Sequence, residues 1–271
     1  MRLRTIALPA EHGSWGFVLE PICLGLGVAP SWAGLCLAIG VFALFLLRRP
    51  LKIILTDWQN HTTPPPPLKR RGAMRTVIAK RFVMGYGLIA VLGLISGVWL
   101  AGWESLYPLL IAVPFSMIFI AYDVKNKSRT WQAEFAGPTA FSLAAASIAL
   151  AGGWAYNVSF ALTGALFARA IPSVLYIRAR IRLDKNKPHN KLLAIGMHVV
   201  GLIFVAVLTV GAYNHKPLLP TLAIVPFVIL LARTVEGLSR YRRLFSIITI
   251  GFIEVGLGIF LVLMMIISTR L

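Results

Sequence analysis

The stretch YNVSFALTGALFARAIPSVLYIRARIRLD, residues 156–184, decides the fold. Most of it is apolar, and it is longer than the roughly 20 residues that a helix needs to cross a bilayer. Near its end Arg178, Arg180 and Arg182 follow one another at every second position, and Asp184 comes after them. An apolar helix that ends in clustered arginines is typical of a membrane span that stops at an anionic lipid surface.

The composition extends this interpretation to the whole chain. The chain has 271 residues, of which 58% are hydrophobic and 13% are charged, whereas a soluble domain carries about 25% charged residues. Only helices and closed barrels satisfy backbone hydrogen bonds in lipid, and these apolar segments are too long for barrel strands. We therefore predict an all-α, polytopic membrane protein, with residues 1–271 forming a single integral membrane domain.

Apolar segments recur along the chain and predict about nine transmembrane helices. The first and the eighth are the weakest, because they are short or contain an internal proline, Pro21 or Pro226. The nine segments are residues 14–30, 32–55, 82–101, 105–122, 135–152, 155–177, 191–212, 217–233 and 244–268.

Basic residues are distributed unevenly around these segments. The net charge is +18, and all Lys and Arg except Arg169, Lys216 and Arg270 lie before the first segment or around the loops that follow even-numbered segments. The longest such loop is the Pro-rich, basic stretch of about residues 58–81. This asymmetry predicts an inner (cytoplasmic) membrane protein with its N-terminus and basic loops in the cytoplasm and its C-terminus outside. It also favours membrane lipids as partners, with no nucleic acid.

Helical periodicity divides the polar residues of the opening stretch between two faces. At about 100° per residue, Arg178 and Arg182 point away from the other polar residues, as expected of side chains that anchor a helix at lipid phosphates. The opposite face is predicted to be one narrow polar arc made of Arg169, Ser173, Tyr176, Arg180 and Asp184.

Arg169 lies well inside its apolar segment. An ionised side chain at the centre of a bilayer costs about 2.5–3.5 kcal/mol, so we expect Arg169 to face the bundle interior and to have a partner. Glu254 and Glu20 lie at similar depth in their own segments, and His198 is a third polar group at that level. A structural ion pair and a substrate pocket both remain open as interpretations.

Two further polar clusters lie at the ends of even-numbered segments. Guanidinium and ammonium groups there suit phosphate or diphosphate, although a general attraction to anionic phospholipid accounts for the same charge. The clusters are RRPLKIILTDWQN, residues 48–60, with Arg49, Lys52, Thr56, Asp57 and Asn60, and YDVKNKSRTWQ, residues 122–132, with Lys127.

The stretch PAEHGSWG, residues 9–16, precedes the first segment and contributes Glu11 and His12, which we expect to cap a helix or to orient a headgroup. Two such residues are too few for a closed zinc site, which needs about four ligands. Together with the length and the many spans, PAEHGSWGFVLEP resembles the YwiC-like family of bacterial membrane proteins. That resemblance covers essentially the whole chain.

The layout also resembles that of the UbiA-type prenyltransferases, which have nine helices and two acidic motifs after helices two and six. The first motif, R-x6-N-D-x2-D-x3-D, corresponds here to Arg49, Thr56, Asp57, Asn60 and Pro64. The second, Y-x3-D-x3-D, corresponds to Tyr176, Arg180 and Asp184. A third stretch of that family, between helices four and five, resembles Tyr122, Lys127, Thr130, Gln132 and Gly137.

The resemblance implies a UbiA-like helical bundle with a site for an isoprenoid diphosphate, but most of its metal-binding carboxylates are replaced. Mg²⁺ prefers several oxygen ligands in octahedral geometry. We therefore predict no cofactor, with Mg²⁺ admitted only if Asp57 and Asp184 suffice. Arginine replaces the metal for binding charge, but it is a weaker Lewis acid for ionising an allylic diphosphate.

The leading hypothesis is a prenyltransferase-like protein whose cytoplasm-facing site binds a polyprenyl or other phosphorylated lipid; transferase activity remains open. Its phosphate is expected between Arg49, Lys52, Lys127 and Arg180, and its tail near Arg169 and Glu254. One alternative is a small-molecule or ion-coupled transporter that uses the intramembrane charges. Another is a membrane scaffold that uses the PPPP-KRR loop.

Overall fold

A computed structural model describes residues 3–9, 12–59, 66–211 and 217–271. Within these ranges the chain is entirely helical, without a β-strand, and two short 3₁₀ helices join the α-helices. The α-helices are α1 (Arg4–Ala7), α2 (His12–Val28), α3 (Trp32–Gln59), α4 (Pro66–Ala101), α5 (Tyr107–Val124), α6 (Trp131–Ala151), α7 (Tyr156–Asp184), α8 (Lys191–Val210), α9 (Ile224–Gly237) and α10 (Ile247–Ser268).

The prediction of an all-α, polytopic membrane protein is confirmed. Helices α2 to α10 follow the nine predicted segments in order, and within the described residues seven helices are long and apolar enough to cross a membrane. These seven are α3 to α8 and α10. The remaining two, α2 and α9, are the segments already singled out as weak, because an apolar stretch of 14 to 17 residues is shorter than a full span. The count of nine spans is therefore approximate.

Helix α4 corrects the predicted loop at residues 58–81. It begins at Pro66 and continues to Ala101, so most of the predicted basic loop is the first part of a long helix. Proline is accepted in the first turn of a helix, where its missing N–H has no intrahelical partner. Lys, Arg, Ala and Met then follow, and all of these favour helix. Residues 60–65, which include the first two prolines of the run, lie outside the described residues.

Helix α6 is the centre of the bundle. It packs against α2, α3, α5 and α7. Within its most apolar window 72% of residues are buried, against 17% in α4 and in α5, whose apolar side chains face outward. The buried residues of α6 are mostly alanine and serine. Small side chains allow helices to approach closely in lipid, where packing and not water exclusion holds them together.

Contacts between helix ends define one end of the bundle, which we name the basic end. It consists of α1, the N-terminal ends of α2, α4, α6, α8 and α10, and the C-terminal ends of α3, α5, α7 and α9. Thr76 donates to Asp57 there at 2.6 Å, and the Arg178 guanidinium donates to the Arg129 carbonyl at 3.0 Å. The orientation of this end relative to the cytoplasm stays a prediction.

Helices α3 and α4 form an especially close pair, and Gly93 permits it. A Cβ atom at Gly93 would lie 2.7 Å from the carbonyl oxygen of Cys36 and 2.8 Å from the amide nitrogen of Gly40. Both are backbone atoms, so neither moves aside without shifting the helix. Glycine at this position therefore sets the distance between α3 and α4.

We expect Gly93→Ala to lower the free energy of unfolding by about 1–3 kcal/mol, because the added methyl group overpacks the α3–α4 contact. Thermal unfolding in detergent measures this. Gly85→Ala in the same helix is the matched control, since a Cβ there meets nothing within 4 Å. It should be neutral or slightly stabilising, and equal effects of the two substitutions would contradict the close contact.

Candidate functional site

A buried ion pair joins α2 to α7 inside the bundle. Arg169 Nη1 lies 2.6 Å from Glu20 Oε2, and the Arg169 side chain is only 4% exposed. Gly258 of α10 lies against both groups. A Cβ there would collide with the Glu20 carboxylate and lie 2.8 Å from Arg169 Nη2. The expectation that Arg169 faces inward and has a partner is confirmed, and the partner is Glu20.

A second buried ion pair adjoins the first. Arg169 Nη2 donates to the backbone carbonyl of Glu254 at 2.7 Å, while the Glu254 carboxylate lies 2.5 Å from Arg233 Nη2 in α9. The Arg233 guanidinium stacks on the ring of Tyr176, with 3.9 Å between its carbon and the ring centroid. Glu254 thus contacts Arg169 through its backbone and Arg233 through its side chain.

His198 of α8 bonds to its own helix and to α9. Its Nδ1 is 2.8 Å from the Ala194 carbonyl, and its Nε2 is 3.1 Å from Thr234 Oγ1. A carbonyl oxygen only accepts, so Nδ1 carries a proton. The Thr234 hydroxyl also lies 2.8 Å from the Leu230 carbonyl, and it has one proton for that oxygen or for Nε2. His198 contacts no carboxylate of the two ion pairs within hydrogen-bond distance.

At the basic end Arg180 is occupied by contacts within the protein. Its Nε donates to Asp184 at 2.8 Å, its Nη1 donates to the Gly237 carbonyl at 2.5 Å, and its Nη2 donates to the Arg243 carbonyl. The second oxygen of Asp184 accepts from Arg242 at 2.9 Å. These contacts fix the loop between α9 and α10 to the end of α7.

A small cavity of about 60 Å³, named cavity B, lies between α7, α9 and α10. Arginines, acidic residues and apolar side chains line it together. Its lining consists of Tyr176, Arg180, Arg233, Glu236, Gly237, Arg243, Phe245, Ile250, Ile253 and Glu254.

A larger cavity of about 290 Å³, named cavity A, lies between α2, α3, α5, α6 and α7 at the basic end. Arginines, one glutamate and two serines contribute its polar lining, and aromatic and aliphatic residues contribute the rest. Its lining consists of Ser14, Phe17, Arg48, Phe119, Ser128, Arg129, Ala133, Glu134, Gly137, Pro138, Phe141, Val174, Ile177 and Arg178.

Asp123 positions one wall of cavity A. It is buried and accepts from Arg48 Nε and from Lys52 Nζ, each at 2.8 Å. The Arg48 guanidinium carbon then lies 4.3 Å from the centroid of the Phe119 ring, a cation–π geometry. On the other wall Arg178 pairs with Glu134 at 3.0 Å.

The structure brings some of the predicted site residues together and separates others. Tyr176, Arg180 and Glu254 line cavity B. The others lie elsewhere: Arg169 with Glu20, Arg49 near the Thr5 carbonyl, Lys52 on Asp123, Asp57 on Thr76, Lys127 exposed in its loop, and Asp184 between Arg180 and Arg242. Glu11 and Asn60 lie outside the described residues, as does the side chain of His12, which begins α2.

The two aspartates of the UbiA resemblance do not fit a shared metal ion. Both oxygens of Asp184 accept from guanidinium groups, and Asp57 accepts from Thr76 at the start of α4. Guanidinium groups repel a cation as strongly as they attract an anion, so the surroundings of Asp184 disfavour Mg²⁺.

Several residues of the cavities were missed from the sequence. Arg233 was counted among the basic residues at the end of the eighth segment, although it lies inside the bundle on Glu254. Arg48 was passed over in favour of its neighbour Arg49, and Asp123 and Glu134 were not connected to any basic group. The helical periodicity of α9 is a sequence signal for the inward position of Arg233, because it places Arg233 near the buried residues Leu230 and Thr234.

We expect Arg169→Met to lower the free energy of unfolding by about 3–5 kcal/mol, because it leaves the Glu20 carboxylate buried without a partner. The double variant Arg169→Met with Glu20→Met should recover most of this loss, since it removes both charges. Reversible unfolding in mixed detergent and SDS measures both. A double variant as unstable as the single one would show that packing, and not the charge pair, is the stabilising contribution.

Comparison with known proteins gives one match. No curated protein and no solved structure matches the chain. A family model described as YwiC-like protein matches residues 8–149, which is more than half of the chain. The matched region runs from the end of α1 through α6, so it includes most of the lining of cavity A. The chain is therefore an integral membrane protein that belongs to the YwiC-like family.

Proposed function

We propose that this protein binds a phosphorylated lipid in cavity A, with the phosphate at the basic end and the chain among the helices. The observation that carries the proposal is the composition of the cavity wall, where three arginines adjoin three phenylalanines. A phosphorylated lipid has the same two parts, an anionic head and an apolar tail.

The charges of the wall favour an anion. Arg48, Arg129 and Arg178 line the cavity against a single carboxylate, Glu134. Arg178 is paired with that glutamate, whereas Arg129 is exposed and makes no ion pair with any described residue. A guanidinium offers a planar fork of donors that matches phosphate oxygens, so Arg129 is the group we expect the phosphate to contact first.

The remaining wall favours an apolar tail. Phe17, Phe119 and Phe141 come from three different helices, and Val174 and Ile177 face them from α7. The volume of about 290 Å³ is close to the lower limit of about 300 Å³ for small-molecule sites. The cavity therefore suits a head group and the first part of a chain, with the rest of the chain in the bilayer.

An isoprenoid phosphate or diphosphate is the lipid that the likeness to UbiA-type prenyltransferases suggests. Of the residues that carry this likeness between α5 and α6, Gly137 lines the cavity. The same stretch also contributes Ser128, Arg129, Ala133 and Glu134. Arginine supplies binding charge without the Lewis acidity of a metal ion, so the proposal is for binding, and prenyl transfer is a separate step to be tested. By the distribution of basic residues, cavity A would open towards the cytoplasm.

A second candidate function is ion-coupled transport. The observation that favours it is the pair of adjacent ion pairs, Glu20 with Arg169 and Glu254 with Arg233, in the interior of the bundle. Charged groups inside membrane proteins mark ion or substrate pathways by default. Lipid binding is the better supported of the two functions, because it also accounts for the apolar wall of cavity A.

We expect Arg129→Gln to reduce co-purifying phosphorylated lipid by about tenfold, because a charge-assisted hydrogen bond to phosphate is lost. Native mass spectrometry of the purified protein measures the bound lipid. Lys127→Gln is the matched control: Lys127 is exposed in the same loop and does not line the cavity. The control should retain the lipid.

A second variant tests the apolar wall. Val174→Phe should also lose the lipid, because it fills part of the cavity while every charge remains. An equal loss in Lys127→Gln would assign the binding to general surface charge, and retention of the lipid in both cavity variants would rule out cavity A.

A further inference from the structure

Cavity B differs from cavity A in size and in chemistry. Its volume of about 60 Å³ is about one fifth of the 290 Å³ of cavity A. A lipid chain does not fit in it, but a single small polar group does. It lies between α7, α9 and α10, and none of its lining residues lines cavity A.

Arginines line cavity B from its buried end to its exposed end. Arg233 is mostly buried, Arg180 forms part of the wall, and Arg243 is exposed at the basic end. Arg180 donates one hydrogen bond from each of its three nitrogens to protein groups, which fixes its position in the wall and uses three of its five N–H donors. Arg243 makes no ion pair with any described residue.

Arg233 has unused hydrogen-bonding capacity. Its Nε is buried and has no hydrogen-bond partner among the described residues. Both carboxylate oxygens of Glu254 are likewise buried without a hydrogen bond, although Oε1 lies 2.5 Å from Arg233 Nη2. The two groups therefore attract each other by charge without the paired geometry of a bidentate arginine–carboxylate contact. A buried donor left in this state is costly, and a ligand that accepts from it is favoured.

The N-terminal end of α10 adds a positive field on the same side. The helix begins at Ile247, and the cavity is lined by Phe245 just before it and by Ile250 in its first turn. The N-terminus of a 22-residue helix carries a partial positive charge that favours anions. Of the acidic residues at the cavity, Glu236 is exposed and Glu254 is buried.

We propose that cavity B is a second site, specific for one phosphate-type oxyanion. In this site the Glu254 carboxylate pairs with Arg233 until the oxyanion displaces the carboxylate from Arg233. The oxyanion would bind Arg233 and Arg243 and be stabilised by the N-terminus of α10. The chemistry is that of a single phosphate group, either free or at the head of a lipid whose chain stays outside the cavity. This site is separate from the lipid site proposed in cavity A.

The two partners of the ion pair distinguish such a site from a purely structural contact. If Glu254 competes with the oxyanion for Arg233, Glu254→Gln should tighten binding, whereas Arg233→Gln should abolish it. A structural ion pair would be weakened by both changes in the same direction. Opposite effects on ligand affinity are therefore the signature of the site.

The experiment measures binding of radiolabelled inorganic phosphate to the protein in phosphatidylcholine nanodiscs at constant ionic strength. We expect Glu254→Gln to lower the dissociation constant by about tenfold, the scale of one charge-assisted contact. The double variant Arg233→Gln with Glu254→Gln keeps the interior neutral and should show no saturable binding. Arg182→Gln, which changes an exposed arginine of α7 outside both cavities, should bind phosphate as the wild type does.

A second arm identifies the source of the phosphate group. Nanodiscs that contain phosphatidic acid present the same group on a lipid, and competition with inorganic phosphate would assign the site to a lipid head. Absence of competition would assign it to a free anion. The proposal is overturned if Glu254→Gln binds phosphate no more tightly than the wild type, or if the double variant still binds it.

Discussion

The burial of Arg169 is the constraint on which the rest of the bundle depends. A guanidinium in the bilayer interior costs about 2.5–3.5 kcal/mol unless it is compensated. Here the Glu20 carboxylate compensates the charge, and the carbonyl of Glu254 accepts a second hydrogen bond. These two contacts tie α2, α7 and α10 together. Glu254 in turn holds Arg233, so α9 is attached to the same group of helices although it is too short to span the membrane alone.

Hydropathy and charge predicted most of this fold because both act locally along the chain. Each segment must hide its own backbone from lipid, so its length and position are visible without knowledge of its neighbours. The same principle required an acidic partner for Arg169, and Glu20 was one of the two carboxylates available. The role of these residues towards a substrate stays a prediction, because pairing alone does not separate a structural contact from a binding site.

The side-chain contacts that the sequence does not predict depend on the rotation of each helix about its axis and on which distant helices pack together. One residue turns a helix by about 100°, so Arg48 faces Asp123 and Phe119 while Arg49 faces the short helix α1. Arg233 lies at a segment end, where a basic residue normally anchors the helix to lipid phosphates. The packing of α9 against α10 instead turns Arg233 inward, onto Glu254. The long start of α4 was missed for a different reason, since proline marks a helix start as well as a loop.

The balance of charge at the basic end links ligand binding to stability. Inside the bundle each buried arginine has a carboxylate, but Arg129 and Arg243 at the basic end have none among the described residues, in a chain of net charge +18. Like charges held close together destabilise the folded state by repulsion. An anion that binds only the folded protein relieves that repulsion and stabilises the fold in proportion to its affinity and concentration. The positive charge that predicts the orientation of the helices would therefore also favour an anionic ligand at the two proposed sites, and that ligand would stabilise the fold.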